Sequence, residues 1–320
     1  MSARLTFKRY VSDVAAKERL DQFLGYYATK HALRPLVYRP KNSNILLTMD
    51  LKDSKTGKPL KPHEPFRPIA KTVLHEYIGS LKVSADETNE LAQWYKSWTS
   101  ISTRKREVYK YFNGAHLQDI LFKAFFQTGS YSHLLSSMYS NIPKFQKAGN
   151  VEAYDIDHFF NAILTCNLHR NKIKVYNDPT IALKKINVAF TNSKGTDTFG
   201  LAKPLIQQLA KQLNFSADEL ISKYKMAQEI NLPQLEETNK PSKFYLEQRG
   251  TYIITRTLEE FATETVDPKI VAFNRSYRSL ADSLGHNTDV YDSYMSTVNE
   301  VWKDTQAAEN TKETETEENK

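Results

Sequence analysis

The C-terminal stretch 270–302, IVAFNRSYRSLADSLGHNTDVYDSYMSTVNEVW, decides the fold class. Large apolar residues recur in it at steps of three and four, the spacing that places side chains on one face of an α-helix. The first run comprises Ile270, Phe273, Tyr277, Leu280 and Leu284, and the second comprises Tyr291, Tyr294, Val298 and Val301. Residues 285–287, Gly-His-Asn, separate the runs and indicate a turn. We therefore predict an antiparallel pair of helices.

Helix start motifs occur at four places in the chain. Asp178 and Asp267 each precede a proline, so that a capping carboxylate stands before a residue whose missing N–H costs nothing in the first turn. Residues 84–87 and 216–219 both have the sequence Ser-Ala-Asp-Glu, a capping box in which the Ser and Glu side chains satisfy backbone N–H groups reciprocally. Each motif predicts the first turn of a helix.

Helical segments also recur in pairs between residues 113 and 230. The pairs are 117–126 with 131–145, 157–166 with 179–190, and 204–213 with 217–230. Their spacing of roughly 40 residues falls within the range of α-solenoids, although their sequences match one another poorly. Only residues 251–257, TYIITRT, resemble a strand, and one isolated strand cannot form a sheet. The predicted fold class is mainly α: a helical bundle or an irregular paired-helix, solenoid-like array with an extended basic N-terminal arm.

Residues 34–68 differ in composition from the rest of the chain. They hold six of the twelve prolines, and proline removes backbone donors and biases the preceding residue towards extended geometry. Eight cations face only three acids, so this segment has a net charge of +5. The cations are Arg34, Arg39, Lys41, Lys52, Lys55, Lys58, Lys61 and Arg67. We predict an extended arm that binds RNA phosphates through these side chains.

A second basic cluster, residues 104–106, lies just before three aromatic rings. The cations are Arg104, Lys105 and Arg106, and the rings are Tyr109, Tyr111 and Phe112. Cations beside rings are typical of surfaces that contact phosphates and stack on bases. The rings also have the spacing of a buried helical stripe, so core packing is the alternative for them. We predict that the three cations bind RNA together with those of the arm.

Both ends of the chain have a distinct composition. Residues 1–12, MSARLTFKRYVS, contain three cations, three hydroxylated side chains and no acid, which is typical of a mitochondrial transit peptide. Residues 305–320 contain five Glu against two Lys, the composition of a short disordered acidic tail. The predicted divisions are a presequence at 1–12, an N-terminal helix at 13–33, the arm at 34–68, a helical body at 69–304 and the tail at 305–320.

The whole chain of 320 residues is basic, with 44 Lys and Arg against 37 Asp and Glu and a net charge of +7. Such charge favours a nucleic-acid partner, although a membrane surface attracts the same charge. No apolar run approaches the roughly 18 residues that a membrane span requires. The single cysteine, Cys166, excludes an internal disulfide, as expected in a reducing or matrix-type compartment.

Motifs for catalysis, nucleotides and metals are missing from the sequence. Residues 195–200 have the glycine spacing of a phosphate loop but lack the lysine that follows it in such loops. Cys166 and His169 lack the second pair of ligands that a zinc site requires. Acids within 155–158 lie where a helix should begin, and helix capping explains them there. We predict no enzyme, no cofactor, no metal and no small-molecule substrate.

A targeting segment, a long basic arm, a helical body and a Glu-rich tail together resemble a fungal mitochondrial ribosomal protein, of the small-subunit type that yeasts have without a bacterial counterpart. Residues 1–23 are the most similar part. The resemblance implies a structural constituent of the mitochondrial small ribosomal subunit in the matrix, with rRNA and neighbouring small-subunit proteins as partners. The alternative is a mitochondrial RNA-binding factor for translation or RNA maturation with degenerate pentatricopeptide-like helical repeats, because residues 160–164, FNAIL, resemble the first helix of such a repeat.

Overall fold

The computed structural model describes residues 2–52, 57–83, 89–173, 179–235, 240–263 and 265–303, with side chains from residue 15 onward except at 173 and 179. Sixteen α-helices account for most of these ranges. They are α1 Ser2–Ala28, α2 Arg34–Val37, α3 Ser43–Thr48, α4 Thr72–Ser80, α5 Glu90–Thr99, α6 Arg106–Lys110, α7 Gly114–Thr128, α8 Ser132–Ala148, α9 Asn161–Ile173, α10 Pro179–Thr191, α11 Ala202–Leu213, α12 Ala217–Tyr224, α13 Pro241–Glu247, α14 Arg249–Phe261, α15 Pro268–Ser283 and α16, residues 290–303. The described ranges contain no strand, and the prediction of a mainly α fold is confirmed.

The predicted helix start motifs have different outcomes. Asp267 caps α15 as predicted, because its carboxylate accepts a hydrogen bond from the Lys269 N–H at 2.8 Å. Ser216 precedes α12, but its side chain makes no capping hydrogen bond, so the capping box predicted at 216–219 is wrong. The motifs at 84–87 and at Asp178 lie outside the described residues.

The predicted helix pair at the C-terminus is present as α15 and α16, with a turn at Gly285, whose φ is +82°. Tyr277 of α15 stacks on Tyr252 of α14 with ring centroids 4.3 Å apart. Tyr294 of α16 stacks on Phe126 of α7 with ring centroids 5.2 Å apart. The apolar faces of the two helices therefore bury themselves against α14 and α7.

The strand predicted at 251–257 is wrong, because these residues form the middle of α14. The hydroxyls of Thr255 and Thr257 donate to the carbonyls of Thr251 and Ile253, four residues earlier, at 3.1 and 2.8 Å. Their polar groups are thus satisfied inside the helix although both side chains are buried. Packing against neighbouring helices then outweighs the strand preference of β-branched residues.

Helix α7 lies at the centre of the core. Every residue from Gly114 to Phe126 is buried. The helix contacts α4, α8, α9, α14 and the π-helical turn Ile156–Phe160, so it has neighbours on all sides. A helix in this position has no solvated face. Each of its polar side chains therefore requires a partner within the protein.

Asp119 of α7 joins three helices. Its carboxylate accepts hydrogen bonds from Nδ1 of His75 in α4 at 2.7 Å and from Nη2 of Arg249 in α14 at 2.6 Å. Burial raises the pKa of Asp119, but the positive charge of Arg249 and the contact with His75 outweigh burial and lower that pKa to about 2. Lys123, one turn further along α7, donates to the carbonyl of Gly79 in α4. Polar contacts thus attach α4 to the core.

We expect Asp119→Asn to lower the free energy of unfolding by about 3–5 kcal/mol, because the buried Arg249 then loses its countercharge. Urea titration at pH 7 measures the change. Asp292→Asn is the matched control, since that side chain is 64% exposed in its ion pair with Arg256 and should contribute at most about 1 kcal/mol. A loss for Asp119→Asn no larger than that of the control would contradict a stabilising role for the buried pair.

The Asp119 carboxylate also makes the free energy of unfolding depend on pH in the acidic range. Because the pKa of Asp119 is about 2 in the folded protein and ordinarily 3.8, its stabilisation is complete above pH of about 4 and is lost as the pH falls towards 2. Over that range we expect the unfolding free energy of Asp119→Asn to fall less steeply with acid than that of the unsubstituted protein, as measured by urea titration at each pH.

His116 lies in the first turn of α7 and acts as a neutral capping residue. Its Nδ1 accepts from the Asn113 N–H at 3.1 Å, and the Asn113 side chain accepts from the His116 N–H at 3.0 Å. Nε2 then donates to the Lys71 carbonyl at 2.9 Å. A second proton, on Nδ1, would face the Asn113 donor. Burial lowers the pKa of His116 well below 6.5.

We expect His116→Gln to flatten the slope of unfolding free energy against pH by up to about 1.4 kcal/mol per pH unit between pH 6.5 and 5. The folded-state pKa of His116 is lowered, so in this range only the unfolded chain takes up the proton and stability falls with pH. Urea titrations at pH 7, 6 and 5 measure the slope, and His63→Gln is the control because His63 is exposed. Equal slopes with and without His116 would rule out a neutral cap.

Candidate nucleic-acid interface

Residues 34–48 form short helical pieces, whereas the prediction was an extended arm over 34–68. Helices α2 and α3 lie in this part, with the 3₁₀ turn Pro40–Asn42 between them. Pro35 and Pro40 occupy the first positions of helical turns, where a fixed φ and a missing N–H are tolerated. The prediction of an extended arm is therefore wrong for 34–48, because proline starts helical turns here. Residues 57–70 contain no helix, in agreement with it.

Backbone hydrogen bonds attach the segment 57–63 to α2 and to the residues that follow α3. The Leu60 N–H donates to the Leu51 carbonyl at 2.7 Å, beside the isolated bridge between Lys52 and Pro59. The His63 N–H donates to the carbonyl of Val37, at the end of α2, at 2.8 Å. The chain thus returns antiparallel to itself. Lys55 of the predicted RNA-binding set lies outside the described residues.

Aromatic rings hold the returning segment against α1. Phe66 stacks on Tyr26 with ring centroids 3.9 Å apart and also contacts Phe23 and Tyr27. These contacts place the backbone of the basic segment on the surface of α1. Its cations therefore occupy positions set by packing, which a freely moving arm would not provide.

Arg34 and Lys105 meet at the C-terminal end of α1, although 71 positions separate them in the sequence. Arg34 donates from Nε to the Thr29 carbonyl and from Nη2 to the Tyr27 carbonyl, both at 3.3 Å. Lys105 Nζ donates to the carbonyls of Ala28 and Thr29 at 3.3 and 3.4 Å. The last carbonyls of a helix lack intrahelical partners and bear partial negative charge, so two cations are favourable there.

The two basic clusters of the sequence therefore adjoin in space. Arg34 also lies over the ring of Tyr26 at 4.6 Å, and both Arg34 and Lys105 are only partly exposed. The side-chain N–H groups of Arg34 and Lys105 thus form contacts that hold the two basic clusters together. Arg104 and Arg106, on either side of Lys105, are exposed, and their side chains bond to no group in the part of the chain that is described.

The remaining cations predicted to bind RNA are exposed as well. They are Arg39, Lys41, Lys52, Lys58, Lys61 and Arg67. With Arg104 and Arg106 they form what we call the N-terminal basic surface. Lys30, next to the end of α1, is also exposed but was not predicted, because it precedes the proline-rich segment by a few residues. If the start of the basic segment had been defined by charge and not by the prolines, the segment would have included Lys30.

Base stacking by the rings after residue 106 is excluded by burial. Tyr109, Tyr111 and Phe112 are 0%, 6% and 1% exposed. The hydroxyl of Tyr109 donates to the carbonyl of Ile101 at 2.5 Å, and that of Tyr111 to the carbonyl of Ala70 at 2.6 Å. The helical spacing of these rings marks a core stripe, so the alternative stated for them is confirmed.

A different pair of rings lies among the cations. Tyr38 stacks on His63 with ring centroids 5.5 Å apart. Both line a groove of about 320 Å³ between α1 and residues 63–69, together with Arg19 and Arg67. Sequence spacing did not indicate this pair, because Tyr38 and His63 come together only through the return of the chain. The groove is lined by Asp21 and Glu64 as well, so its acids balance its two arginines.

The other candidate groups have structural roles. Asp155 accepts from the N–H groups of His158 and Phe159 at 3.0 and 3.1 Å, so it caps the π-helical turn as predicted. His169 is buried and bonds to the hydroxyl of Thr257, and burial lowers the pKa of its ring to about 4. Burial raises the pKa of the Cys166 thiol, so it remains protonated.

Within the described ranges, His, Cys, Asp and Glu side chains form no group of three that would hold a metal ion. No described helix is long and apolar enough to cross a bilayer.

Two family models match the chain and leave little of it uncovered. The MRP13-like N-terminal domain matches residues 6–80, and the MRP13-like C-terminal domain matches residues 88–313. Both domains are those of mitochondrial ribosomal proteins, so the prediction of a mitochondrial ribosomal protein is confirmed. A ribosomal family implies a structural, non-enzymatic role, with rRNA and ribosomal proteins as partners. The chain belongs to the MRP13-like family of mitochondrial ribosomal proteins.

Proposed function

We propose that the chain is a structural constituent of the mitochondrial small ribosomal subunit and that its N-terminal basic surface anchors it to rRNA. One observation supports this most: two basic clusters, 34–67 and 104–106, adjoin at the end of α1 and present exposed cations there. No described acid pairs with Arg104 or Arg106. A polyanion supplies the missing countercharge.

The chemistry of this surface favours phosphates over base edges. Lysine and arginine neutralise phosphates and release counterions, which makes binding strong at low salt and insensitive to sequence. Contacts of this kind position a protein on RNA and do not read its sequence. A ribosomal subunit protein requires only such positioning, because assembly already determines which rRNA helix is nearby.

We expect Arg104→Gln with Arg106→Gln to weaken binding to fragments of small-subunit rRNA. Each lost phosphate contact reduces the slope of log affinity against log salt by about 0.7–0.9, so the double variant should lose about 1.4–1.8 in slope. Binding measured between 50 and 300 mM salt determines both slopes. Circular dichroism should remain unaltered, because both side chains are exposed.

The matched control removes the same charge elsewhere. Lys184 and Lys194 are exposed and lie in the C-terminal half of the chain. Lys184→Gln with Lys194→Gln should bind the rRNA fragments with the affinity and slope of the unsubstituted protein. Equal losses in the two double variants would mean that net charge, and not the N-terminal basic surface, determines RNA binding.

The proposed site of action is the mitochondrial matrix, with residues 1–12 as the targeting segment. Membership of a mitochondrial family supports import, and the basic, acid-free composition of 1–12 supports a presequence. The proposal keeps the N-terminal helix at 13–33, the basic segment at 34–68, the helical body at 69–304 and the acidic tail at 305–320 as its divisions of the chain.

We expect replacement of Arg4, Lys8 and Arg9 by Glu to abolish uptake into energised isolated mitochondria, since presequences depend on positive charge. Protection of the radiolabelled protein from added protease measures uptake. The control changes the exposed Lys184 and Lys194 to Glu and should import normally. Uptake of the first variant at the control's rate would place the targeting information outside residues 1–12.

A further inference from the structure

Three large apolar side chains are exposed within five residues of α3 and its C-terminal end. Ile45, Leu47 and Met49 are 50%, 63% and 51% exposed. Single exposed apolar residues are normal on a protein surface, whereas three of them within five residues leave a large apolar area in solvent and indicate an interaction site. We call these three side chains the α3 apolar surface.

Helix α3 is weakly attached to the rest of the protein. Leu46 is its one buried residue. Leu46 and Val37 are buried, but neither belongs to the main hydrophobic core. A helix of six residues is marginal alone, because most helical stability in proteins comes from tertiary packing. A partner that covers the exposed side chains would supply that packing.

The arrangement of the side chains selects a concave partner. Neighbouring helical residues are about 100° apart, so Ile45 and Leu47 lie on opposite flanks of Leu46, about 200° apart, while Met49 falls near Ile45. A flat bilayer surface reaches one flank at a time. A groove in a protein can enclose a helix on both flanks, including the exposed polar side chains of α3 that lie between Ile45 and Leu47.

Charge restricts the partner further. Lys41 precedes α3 and Lys52 follows it, and both are exposed. Among the described residues from 39 to 60, Asp50 is the only acid. A second copy of this chain would bring the same positive charge to the contact, which is unfavourable. RNA would satisfy the cations but offers little to aliphatic side chains that have neither donors nor rings.

We propose that the α3 apolar surface inserts into an apolar groove, bordered by acidic side chains, on a neighbouring ribosomal protein. This inference rests on the proposed function, because it takes the partner from the ribosomal particle. Lys41 and Lys52 then face the acidic border and leave the set of cations that the proposed function assigns to rRNA, among which Arg104 and Arg106 at the end of α1 remain. The protein thus has separate contacts for RNA and for protein.

A substitution in the full chain tests the surface without disturbing the fold. Leu47→Asp places a charge in the groove, and we expect at least about a tenfold loss of incorporation into the small subunit in mitochondria, since burying a leucine contributes more than the 1.4 kcal/mol that corresponds to tenfold. Val188→Asp is the matched control, because Val188 is an exposed aliphatic residue of α10 at 42% exposure. Normal incorporation of Leu47→Asp would overturn the proposal.

RNA binding separates this proposal from the proposed function. The Leu47→Asp protein should keep its melting temperature and its affinity for rRNA fragments, whereas Arg104→Gln with Arg106→Gln loses that affinity. Loss of RNA affinity in Leu47→Asp would assign α3 to RNA and overturn a protein contact. Failure of the arginine variant alone would reject the RNA anchor and leave the α3 result standing.

Crosslinking identifies the class of partner directly. A photoreactive benzoylphenylalanine at position 47 is irradiated in intact mitochondria, and purified ribosomal particles are analysed by mass spectrometry. We expect one crosslinked ribosomal protein, attached through a peptide that contains aliphatic and acidic residues. Crosslinks to rRNA, to a second copy of this chain or to lipid would each overturn the proposal, as would the absence of a crosslink in assembled particles.

Discussion

The arrangement of the molecule depends on one buried carboxylate, that of Asp119, which binds His75 of α4 and Arg249 of α14 at the same time. A buried ion pair stabilises the fold only when every partner is in place, because a buried charge that lacks its partner has no water to solvate it. The three helices therefore take one relative position. Helix α1 packs on α4, so this position also determines where the end of α1 and the basic surface lie. The contact further connects the two regions that the family models match separately.

Apolar spacing identified α15 and α16 from the sequence, whereas it did not identify α14. The runs behind α15 and α16 alternate apolar and polar residues with helical spacing, which signals one buried side. Residues 251–257 lack that alternation because α14 is buried on several sides, and β-branched residues then suggested a strand. Pro35 also departs from the prediction, because it lies in the first turn of α2 although the composition predicts an extended chain there. In both cases the deciding information is tertiary.

The charge of the candidate interface was predictable, but its geometry was not. Composition alone identified residues 34–67 and 104–106 as basic. The two segments converge because Arg34 and Lys105 both donate to the carbonyl of Thr29. No spacing in the sequence predicts this contact. The cations differ because of that contact: Arg34 and Lys105 bond to backbone carbonyls and are partly exposed, whereas Arg104 and Arg106 are exposed to solvent.

The burial of Val37 and Leu46 outside the main core has a consequence for the order of assembly. A unit held by few apolar contacts opens at a much lower free energy than the global unfolding free energy. The helical body can then be fully folded while the region around α2 and α3 still exchanges its amide protons. If α3 docks on a neighbouring protein as proposed, the ordering of this short helix at docking would lower the affinity for incomplete particles. The N-terminal region would thereby act as a late checkpoint, closing only on a subunit whose RNA and protein surfaces are both present.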